Sequence, residues 1–147
     1  MSKKLSFRGS ITPGTDEQRI KLATLNGKRG YKITKFQIMG QKPGRESYEY
    51  LCQIYSRKTS PTADVEFTNS DLMAVAYLEG NNSSQYVDNQ EIIFDNEIVN
   101  QDIYVTGVDA SGGVVPLNYY LELETVSLSD TQATQLTLKN LRRLASR

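Results

Sequence analysis

Apolar and polar residues alternate along most of this chain, in short segments that turn residues separate. Alternation with a period of two is typical of strands that bury one face. It predicts strands at residues 19–25, 31–39, 47–57, 72–78, 91–94, 102–108 and 119–128. Short strands at nearly regular spacing favour packed antiparallel sheets over alternating helices and strands. We therefore predict a mainly β fold, an antiparallel β-sandwich or jelly roll of about seven to eight strands with one C-terminal α-helix.

Turn residues indicate where the strands end. Asn26-Gly27 supplies the positive-φ residues of a tight turn, so we predict a hairpin between the first two strands. Pro43-Gly44 and residues 109–113 predict two further turns.

Cys52 alternates with the tyrosines of its strand, which predicts a small core residue rather than a reactive thiol.

Only the C-terminal segment has the pattern of a helix. Ser129 is followed three residues later by a glutamine, which is the capping-box pair that starts many helices. No glycine or proline interrupts residues 133–145, and Leu138, Leu141 and Leu144 fall on one face. Two interpretations stay open. The helix lies on its own sandwich, or it inserts these leucines into a neighbouring subunit.

These patterns divide the chain into three parts. Residues 1–16 show little alternation and are predicted to be a flexible basic arm. Residues 17–128 form the predicted β-sandwich domain, and residues 129–147 the amphipathic, basic C-terminal helix. The basic residues of the arm are Lys3, Lys4 and Arg8. Such an arm can contact nucleic-acid phosphates non-specifically or bind an acidic neighbour, with a frayed terminus as the alternative.

The charged residues are segregated along the chain, although the formal net charge is +0. Residues 1–60 contain 13 lysines and arginines and 4 acidic residues, whereas residues 61–138 contain 13 acidic residues and no lysine or arginine. Residues 139–147 add 4 basic residues and no acid. This segregation predicts strong local fields that act between subunits. If strands of both halves interleave in the fold, the charges instead pair within one subunit.

Composition weighs against several function classes. The 147 residues have the size of one domain and include no histidine, which is the commonest general base and metal ligand. The single Cys52 forms no internal disulfide, as expected of a protein made in a reducing cytoplasm. No apolar stretch has the length of a membrane span, and residues 1–8 lack the apolar core of a secretory signal. We expect no enzyme activity, no metal, no cofactor and no membrane partner.

Two pairs of carboxylate residues keep a hydrolase open as one hypothesis for the function. Asp95 with Glu97, and Glu122 with Glu124, lie two residues apart, so each pair shares one face of a strand. Paired carboxylates can hold a divalent cation or act as acid and base. A solvated acidic face is the commoner origin of such pairs.

Tyrosine is frequent, with 9 among 147 residues. A tyrosine buries a large ring and keeps a polar tip, which suits partly wet interfaces, although it suits strands equally. The residues that we predict at an interface are Tyr48, Tyr50, Tyr55, Tyr119, Tyr120, Leu138, Leu141, Leu144, Arg142 and Arg143.

The closing segment resembles part of a known group of proteins. Residues 115–124 read Val-Pro-Leu-Asn-Tyr-Tyr-Leu-Glu-Leu-Glu and are followed by a polar turn and a basic-ended helix. This segment is similar to the end of proteins encoded by marine phages. With its basic arm and short antiparallel strands, the chain resembles the small virion structural proteins of bacteriophages.

The resemblance implies a jelly-roll or sandwich subunit at a minor capsid, vertex or decoration position. Such a subunit is made in the host cytoplasm and is located in the virion, where it binds copies of itself and other virion proteins. A head-tail adaptor or tail component is an alternative within this class. A carbohydrate- or receptor-binding β-sandwich, with loop residues 80–86 as its site, is the alternative from another class.

Overall fold

The computed structural model describes residues 3–15, 17–24, 27–43, 47–80, 87–94 and 97–145. For residues 87, 88 and 140–145 it describes the backbone only. The described elements are β1 (Lys4–Ile11), β2 (Gln18–Ile20), β3 (Arg29–Gly40), β4 (Tyr48–Tyr55), β5 (Leu72–Gly80), β6 (Val87–Ile93), β7 (Ile103–Asp109), β8 (Leu117–Ser127) and α1 (Asp130–Ala145).

The strands form two antiparallel sheets. The first sheet has the order β1-β8-β3, and the second has the order β2-β7-β4-β5-β6. Strands from the two ends of the chain pair in a nested series, β1 with β8, β2 with β7 and β4 with β5. Nested pairing of this kind resembles that of a jelly roll, except that β6 pairs with β5 and not with β3. The prediction of a mainly β sandwich or jelly roll with one C-terminal helix is confirmed.

One core fills the space between the sheets. Its largest fully buried apolar side chains come from both sheets: Tyr50, Phe36, Ile11, Ile54, Ile103, Leu117, Leu121 and Leu123. Every second residue of β8, from Leu117 to Leu123, belongs to this core. Cys52 is buried in it, as its place in the alternation predicted, and burial raises the pKa of its thiol.

The prediction of a flexible N-terminal arm is wrong for the described part of that segment. Its residues form β1, which pairs with β8 along its whole length. Leu5, Phe7 and Ile11 alternate toward the core. Gly9 interrupts this apolar alternation in the sequence, because the ring of Tyr119 occupies the place of its missing side chain. The described sandwich therefore begins at Lys4 rather than at residue 17.

The predicted hairpin at Asn26-Gly27 is also wrong. β2 pairs with β7 in one sheet and β3 pairs with β8 in the other, so the connection crosses between sheets. Asn26 lies outside the described residues, whereas Gly27 has the expected positive φ of 65°. The preceding segment stays beside β7 because the carboxylate of Asp102 accepts hydrogen bonds from the N–H groups of Leu22 and Ala23, at 2.8 and 2.9 Å.

Two further turns were predicted, at residues 109–113 and at Pro43-Gly44. The first lies entirely within the described residues and the second only in part. The turn at 109–113 is confirmed, since the N–H of Gly112 donates to the carbonyl of Asp109 at 3.0 Å and Gly112 has a φ of 87°. It leads from β7 in the second sheet to β8 in the first. Gly44 of the Pro43-Gly44 turn lies outside the described residues.

α1 begins as the capping box predicts. The N–H of Gln132 donates to Ser129 Oγ at 3.2 Å, and the N–H of Ser129 donates to Gln132 Oε1 at 3.0 Å. The first half of the helix rests on residues 97–101, where the buried Asn100 amide donates to the hydroxyl of Thr137 at 3.3 Å. Among the residues that the structure describes, no helix is long and apolar enough to cross a membrane.

Candidate interaction surfaces

Opposite charges meet within the subunit on the outer face of the β1-β8-β3 sheet. The central strand, β8, carries two glutamates, and the strands on either side carry lysines. Glu124 lies opposite Lys4 on β1 and opposite Lys32 on β3. Glu122 forms an ion pair with Lys35 at 4.0 Å. Cross-strand pairs of opposite charge each stabilise a sheet by about 0.2–1 kcal/mol.

The nested strand order explains the segregation of charge along the sequence. It places strands of the basic first half beside strands of the acidic second half. Further ion pairs join the two halves: Arg19 with Asp102 at 3.6 Å, Arg57 with Asp71 at 3.3 Å and Lys28 with Asp130 at 2.8 Å. The structure therefore supports interleaving within one subunit, and the segregation does not by itself require a partner.

Most of the tyrosines predicted at an interface are instead buried in this chain. Those with at most 7% of their surface exposed are Tyr48, Tyr50, Tyr55 and Tyr119. Their rings are not available to a partner, because they pack inside the chain while two of their hydroxyls still find acceptors. The hydroxyl of Tyr50 donates to the carbonyl of Val115 at 2.8 Å, and that of Tyr119 donates to Gln18 Oε1 at 2.9 Å.

Two buried tyrosines cover glycines on the neighbouring strand. Tyr119 lies directly opposite Gly9, and Tyr48 lies opposite Gly80. A methyl group added at Gly80 would come within 2.6 Å of the Tyr48 ring, and one at Gly9 within 2.7 Å of the Tyr119 hydroxyl. An aromatic ring above a cross-strand glycine fills the space of the absent side chain. Sheet packing thus accounts for these tyrosines.

The fifth tyrosine, Tyr120, is 36% exposed and lies in an open groove of about 400 Å³ between β3 and β6. The groove is open because β6 pairs with β5 and not with β3. Its lining includes Arg8, Met39, Asn89, Glu91, Asn118 and Tyr120. An aromatic ring among amide and charged side chains can bind a ligand that has both polar and apolar faces. Of the predicted arm residues, Lys3, Lys4 and Arg8 are all exposed, and Arg8 borders this groove.

Both faces of β4 are buried, because a loop covers the face that lies away from the core. This segment, residues 56–71, is called the β4–β5 loop here. Gln53 is 0% exposed, and its Nε2 donates to the carbonyls of Asp64 and Thr62 at 3.1 and 3.4 Å. Alternation assigns Gln53 to the second face of β4 but gives no sign of what covers it. The alternation therefore does not predict that a loop covers this face.

A buried ion pair closes the base of the β4–β5 loop. Arg57 Nη1 lies 3.3 Å from Asp71 Oδ2, and the two side chains are 6% and 9% exposed. The N–H of Ser56 donates to the carbonyl of Asp71 at 2.8 Å, which joins the two ends of the loop. Within the described residues, Nε and Nη2 of Arg57 have no hydrogen-bond partner. Removing one partner of a buried pair leaves the other charge uncompensated and costs about 3–5 kcal/mol, so the base of the loop depends on both residues.

The loop displays an exposed apolar patch together with the end of β6. We define the Phe67 patch as the contacting pair Phe67 and Phe94 together with Val65 and Ile92, each of which lies two residues before one of them in the chain. Phe67 is 57% exposed, and its ring meets that of Phe94 edge-on with centroids 5.2 Å apart. Val65 is 40% and Ile92 38% exposed. None of these residues was predicted at an interface, because a loop aromatic has no periodic partners. The sequence signal is the pair Val65 and Phe67 within an otherwise polar loop.

Compared with known proteins, the chain matches no protein-family model, and its sequence has no significant match among curated proteins. The surfaces are therefore interpreted from their own chemistry. No cluster of three or more potential metal ligands occurs in the part of the chain that the structure describes. Of the carboxylate pairs, Asp95 lies outside that part, and Glu122 and Glu124 face lysines of the neighbouring strands.

α1 leaves one of its predicted interface leucines in solvent. Ala133 is buried and Thr137 bonds to Asn100, so this side of the helix faces its own subunit. Leu138 is 45% exposed. The other predicted helix residues have side chains outside the described ones: Leu141, Arg142, Arg143 and Leu144. The first half of α1 therefore packs on its own subunit and still presents Leu138 outward.

Proposed function

We propose that this protein is a non-enzymatic structural subunit of a virion, at a minor capsid, vertex or decoration position. It acts by assembling with itself and by contacting other virion subunits. The observation that carries this proposal is the Phe67 patch, an exposed apolar surface on an anchored loop. The antiparallel β-sandwich also supports it, because jelly-roll sandwiches occur in viral capsid proteins, although lectins use them too.

The Phe67 patch has the composition of a protein–protein contact. Such contacts have an apolar centre, rich in aromatic residues, and a polar rim. Phe67 is the exposed aromatic group, and the neighbouring Asp64 and Glu66 are exposed and charged. Because the β4–β5 loop is anchored by Arg57 and Asp71, binding orders few additional groups. A preorganised surface loses less entropy on association.

The edges of the first sheet are less suited to assembly than this patch. β1 and β3 are the outer strands of the first sheet. β1 carries the exposed Lys4 and Arg8, and β3 has an irregular register between Ile33 and Lys35. Charged side chains and bulges at an edge oppose the addition of a further strand. The addition of strands to the first sheet is therefore not the proposed mode of assembly.

Sedimentation equilibrium of the purified chain tests the proposal. We expect a mass that rises with concentration to a multiple of 16.5 kDa. Phe67→Ala should weaken self-association at least about tenfold, which corresponds to about 1.4 kcal/mol. Met39→Ala, at a position that is 61% exposed outside the patch, is the matched control and should change nothing. A chain that stays monomeric and also fails to bind virions or capsid shells contradicts the proposal.

The groove at Tyr120 favours a carbohydrate-binding module as a second candidate function. This site differs from the predicted loop 80–86, of which residues 81–86 lie outside the described residues. A sugar offers hydroxyl groups to amide and charged side chains and an apolar face to an aromatic ring. Tyr120 supplies the ring, and Asn118 and Asn89 supply the amides. Binding on a glycan array that Tyr120→Ala abolishes and Phe67→Ala leaves intact would favour this candidate. An array without any bound glycan removes it.

A further inference from the structure

We infer that the free edge of β6 binds an extended segment of another virion protein, and that this segment alternates basic and apolar residues. The inference rests on the proposed function and names the chemistry of a partner that also contacts the Phe67 patch. It is carried by the direction of the backbone groups of β6, by the lack of protection along this strand and by the side chains on its two faces.

Alternate backbone groups of β6 point away from β5, the strand with which it pairs. The N–H of Phe94 donates to the carbonyl of Met73 at 3.0 Å, and β6 runs from there in an unshifted antiparallel register with β5. In such a ladder every second residue bonds to the neighbouring strand, and the residues between face the other way. The N–H and C=O groups of Asn89, Glu91 and Ile93 therefore face the edge of the second sheet, where no described strand pairs with them.

β6 lacks the features that protect the other edge strands. β1 carries the exposed Lys4 and Arg8, β3 has an irregular register, and β2 has 3 residues. β6 has 7 residues, an unbroken register and no proline, lysine or arginine. Short length, bulges, prolines and basic side chains are means by which an edge resists strand addition. Among the described edges, that of β6 is therefore best suited to receive a further strand.

The charge along this edge selects a basic partner. Glu91 is exposed on β6, and residues 59–98 contain no lysine or arginine. Opposite charges on neighbouring strands stabilise a sheet, whereas like charges directly opposite each other destabilise it. A lysine or arginine opposite Glu91 therefore favours binding, and an acidic residue there opposes it.

The two faces of β6 require different side chains on the partner. Asn89 and Glu91 line the groove of about 400 Å³ between β3 and β6, which leaves space beside this edge. Ile92 lies on the opposite face and belongs to the Phe67 patch. Side chains alternate between the faces of a strand, and those of adjacent strands lie about 4.5–5.5 Å apart. An added strand thus places one set of side chains beside Glu91 and the other beside Ile92, so basic and apolar residues alternate along it.

A synthetic peptide that alternates lysine and valine over 7 residues, the length of β6, is the probe. NMR follows hydrogen exchange of the backbone amides in the free chain and with the peptide at millimolar concentration. We expect the amides of Asn89, Glu91 and Ile93 to exchange rapidly in the free chain and at least about tenfold more slowly with the peptide. Those of Gln90 and Ile92 already face β5 and should change little. This alternation distinguishes strand addition from binding through side chains alone.

Charge reversal provides the matched control. A peptide that alternates glutamate and valine should not bind the unchanged chain, whereas the Glu91→Lys variant should bind it and bind the lysine peptide at least about threefold more weakly. Glu91→Pro removes an N–H that faces the open edge and none that faces β5, so this variant should bind neither peptide. Thermal unfolding checks that both variants keep the fold, and Glu91→Lys alone decides if the proline variant does not.

Failure of this inference is distinct from failure of the proposed function. The docking site is wrong if the lysine peptide protects no amide of β6, protects neighbouring amides alike, or binds no better than the glutamate peptide. The proposed function still stands in that case if the chain self-associates or binds virions or capsid shells. If the chain does neither, the proposed function fails, and the peptide result alone decides whether β6 accepts a strand.

Discussion

At the scale of single residues, glycines and tyrosines on neighbouring strands act as pairs. The Tyr48 ring lies over Gly80 and also stacks on Tyr50, with centroids 4.6 Å apart. The sequence pattern is compatible with these tyrosines both as strand residues and as interface residues. The pattern alone does not distinguish these two roles. Gly80 is far from Tyr48 in the sequence, and only the strand register brings the two residues together.

The packing of Tyr48 over Gly80 predicts that a methyl group added at Gly80 lowers the free energy of unfolding substantially. Gly80→Ala places a methyl group in the space of the Tyr48 ring, so we expect the free energy of unfolding to fall by about 1–3 kcal/mol, as for an overpacked core. Urea denaturation measures this loss. In a Tyr48→Ala background the same substitution should cost much less. An equal cost in both backgrounds contradicts the pairing.

Buried tyrosines also predict a loss of stability at alkaline pH. Burial, together with Glu66, raises the pKa of Tyr55, and burial, together with Cys52, raises the pKa of Tyr119. The unfolded chain therefore loses these protons first, at its ordinary pKa of about 10. Stability is fully present below about pH 10 and falls as the pH rises through the folded-state pKa values.

Tyrosinate absorbance and circular dichroism, recorded together across this range, measure the effect. We expect the buried Tyr55 and Tyr119 to ionise as the fold is lost. Ionisation of every tyrosine near about pH 10 in a chain that stays folded would show that the rings are not buried.

At the scale of elements, predictability depended on how completely a local pattern appears in the sequence. α1 has its full capping box, and β8 has uninterrupted alternation, so both were predicted. β1 was missed because Gly9 breaks its alternation, and only Tyr119 on another strand explains that glycine. The hairpin between β2 and β3 was predicted wrongly because a turn residue defines the turn but not the sheet that receives the next strand. The cover formed by the β4–β5 loop has no periodic signal at all.

The attachment of α1 depends on a buried side chain in a loop. Asn100 is 2% exposed and donates to the carbonyl of Gly27 at 3.1 Å as well as to the helix. Asn100→Ala leaves these acceptors unpaired, and we expect a loss of about 1–3 kcal/mol in unfolding free energy. Hydrogen exchange of residues 133–137 should accelerate at the same time. Asn118→Ala, at an exposed asparagine, is the control, and equal protection of the helix in both variants would contradict this role.

At the scale of the whole molecule, the nested strand order converts segregated charge into paired charge. Surface ion pairs contribute little individually, so the subunit should unfold at nearly the same temperature in low and high salt. Assembly should respond more, because salt shortens the Debye length from about 10 Å at 0.1 M to about 3 Å at 1 M and screens the charges that neighbouring subunits bring together. Light scattering at both salts measures assembly. We expect it to weaken but persist, since the Phe67 patch is apolar, and its complete loss in high salt would assign the contact to charge alone.

The pairing of β1 with β8 has a consequence for synthesis on the ribosome. The backbone N–H of Lys3 donates to Thr125 Oγ1, which lies 122 residues further along the chain. The first strand therefore finds its neighbour only when the chain is nearly finished. Translation proceeds at about 5–20 residues per second, which leaves the first half waiting for several seconds. During that interval residues 1–60, with 13 basic and 4 acidic residues, form a nascent polycation surrounded by ribosomal and messenger RNA. When the acidic half emerges, its strands pair with the basic strands and offset this charge.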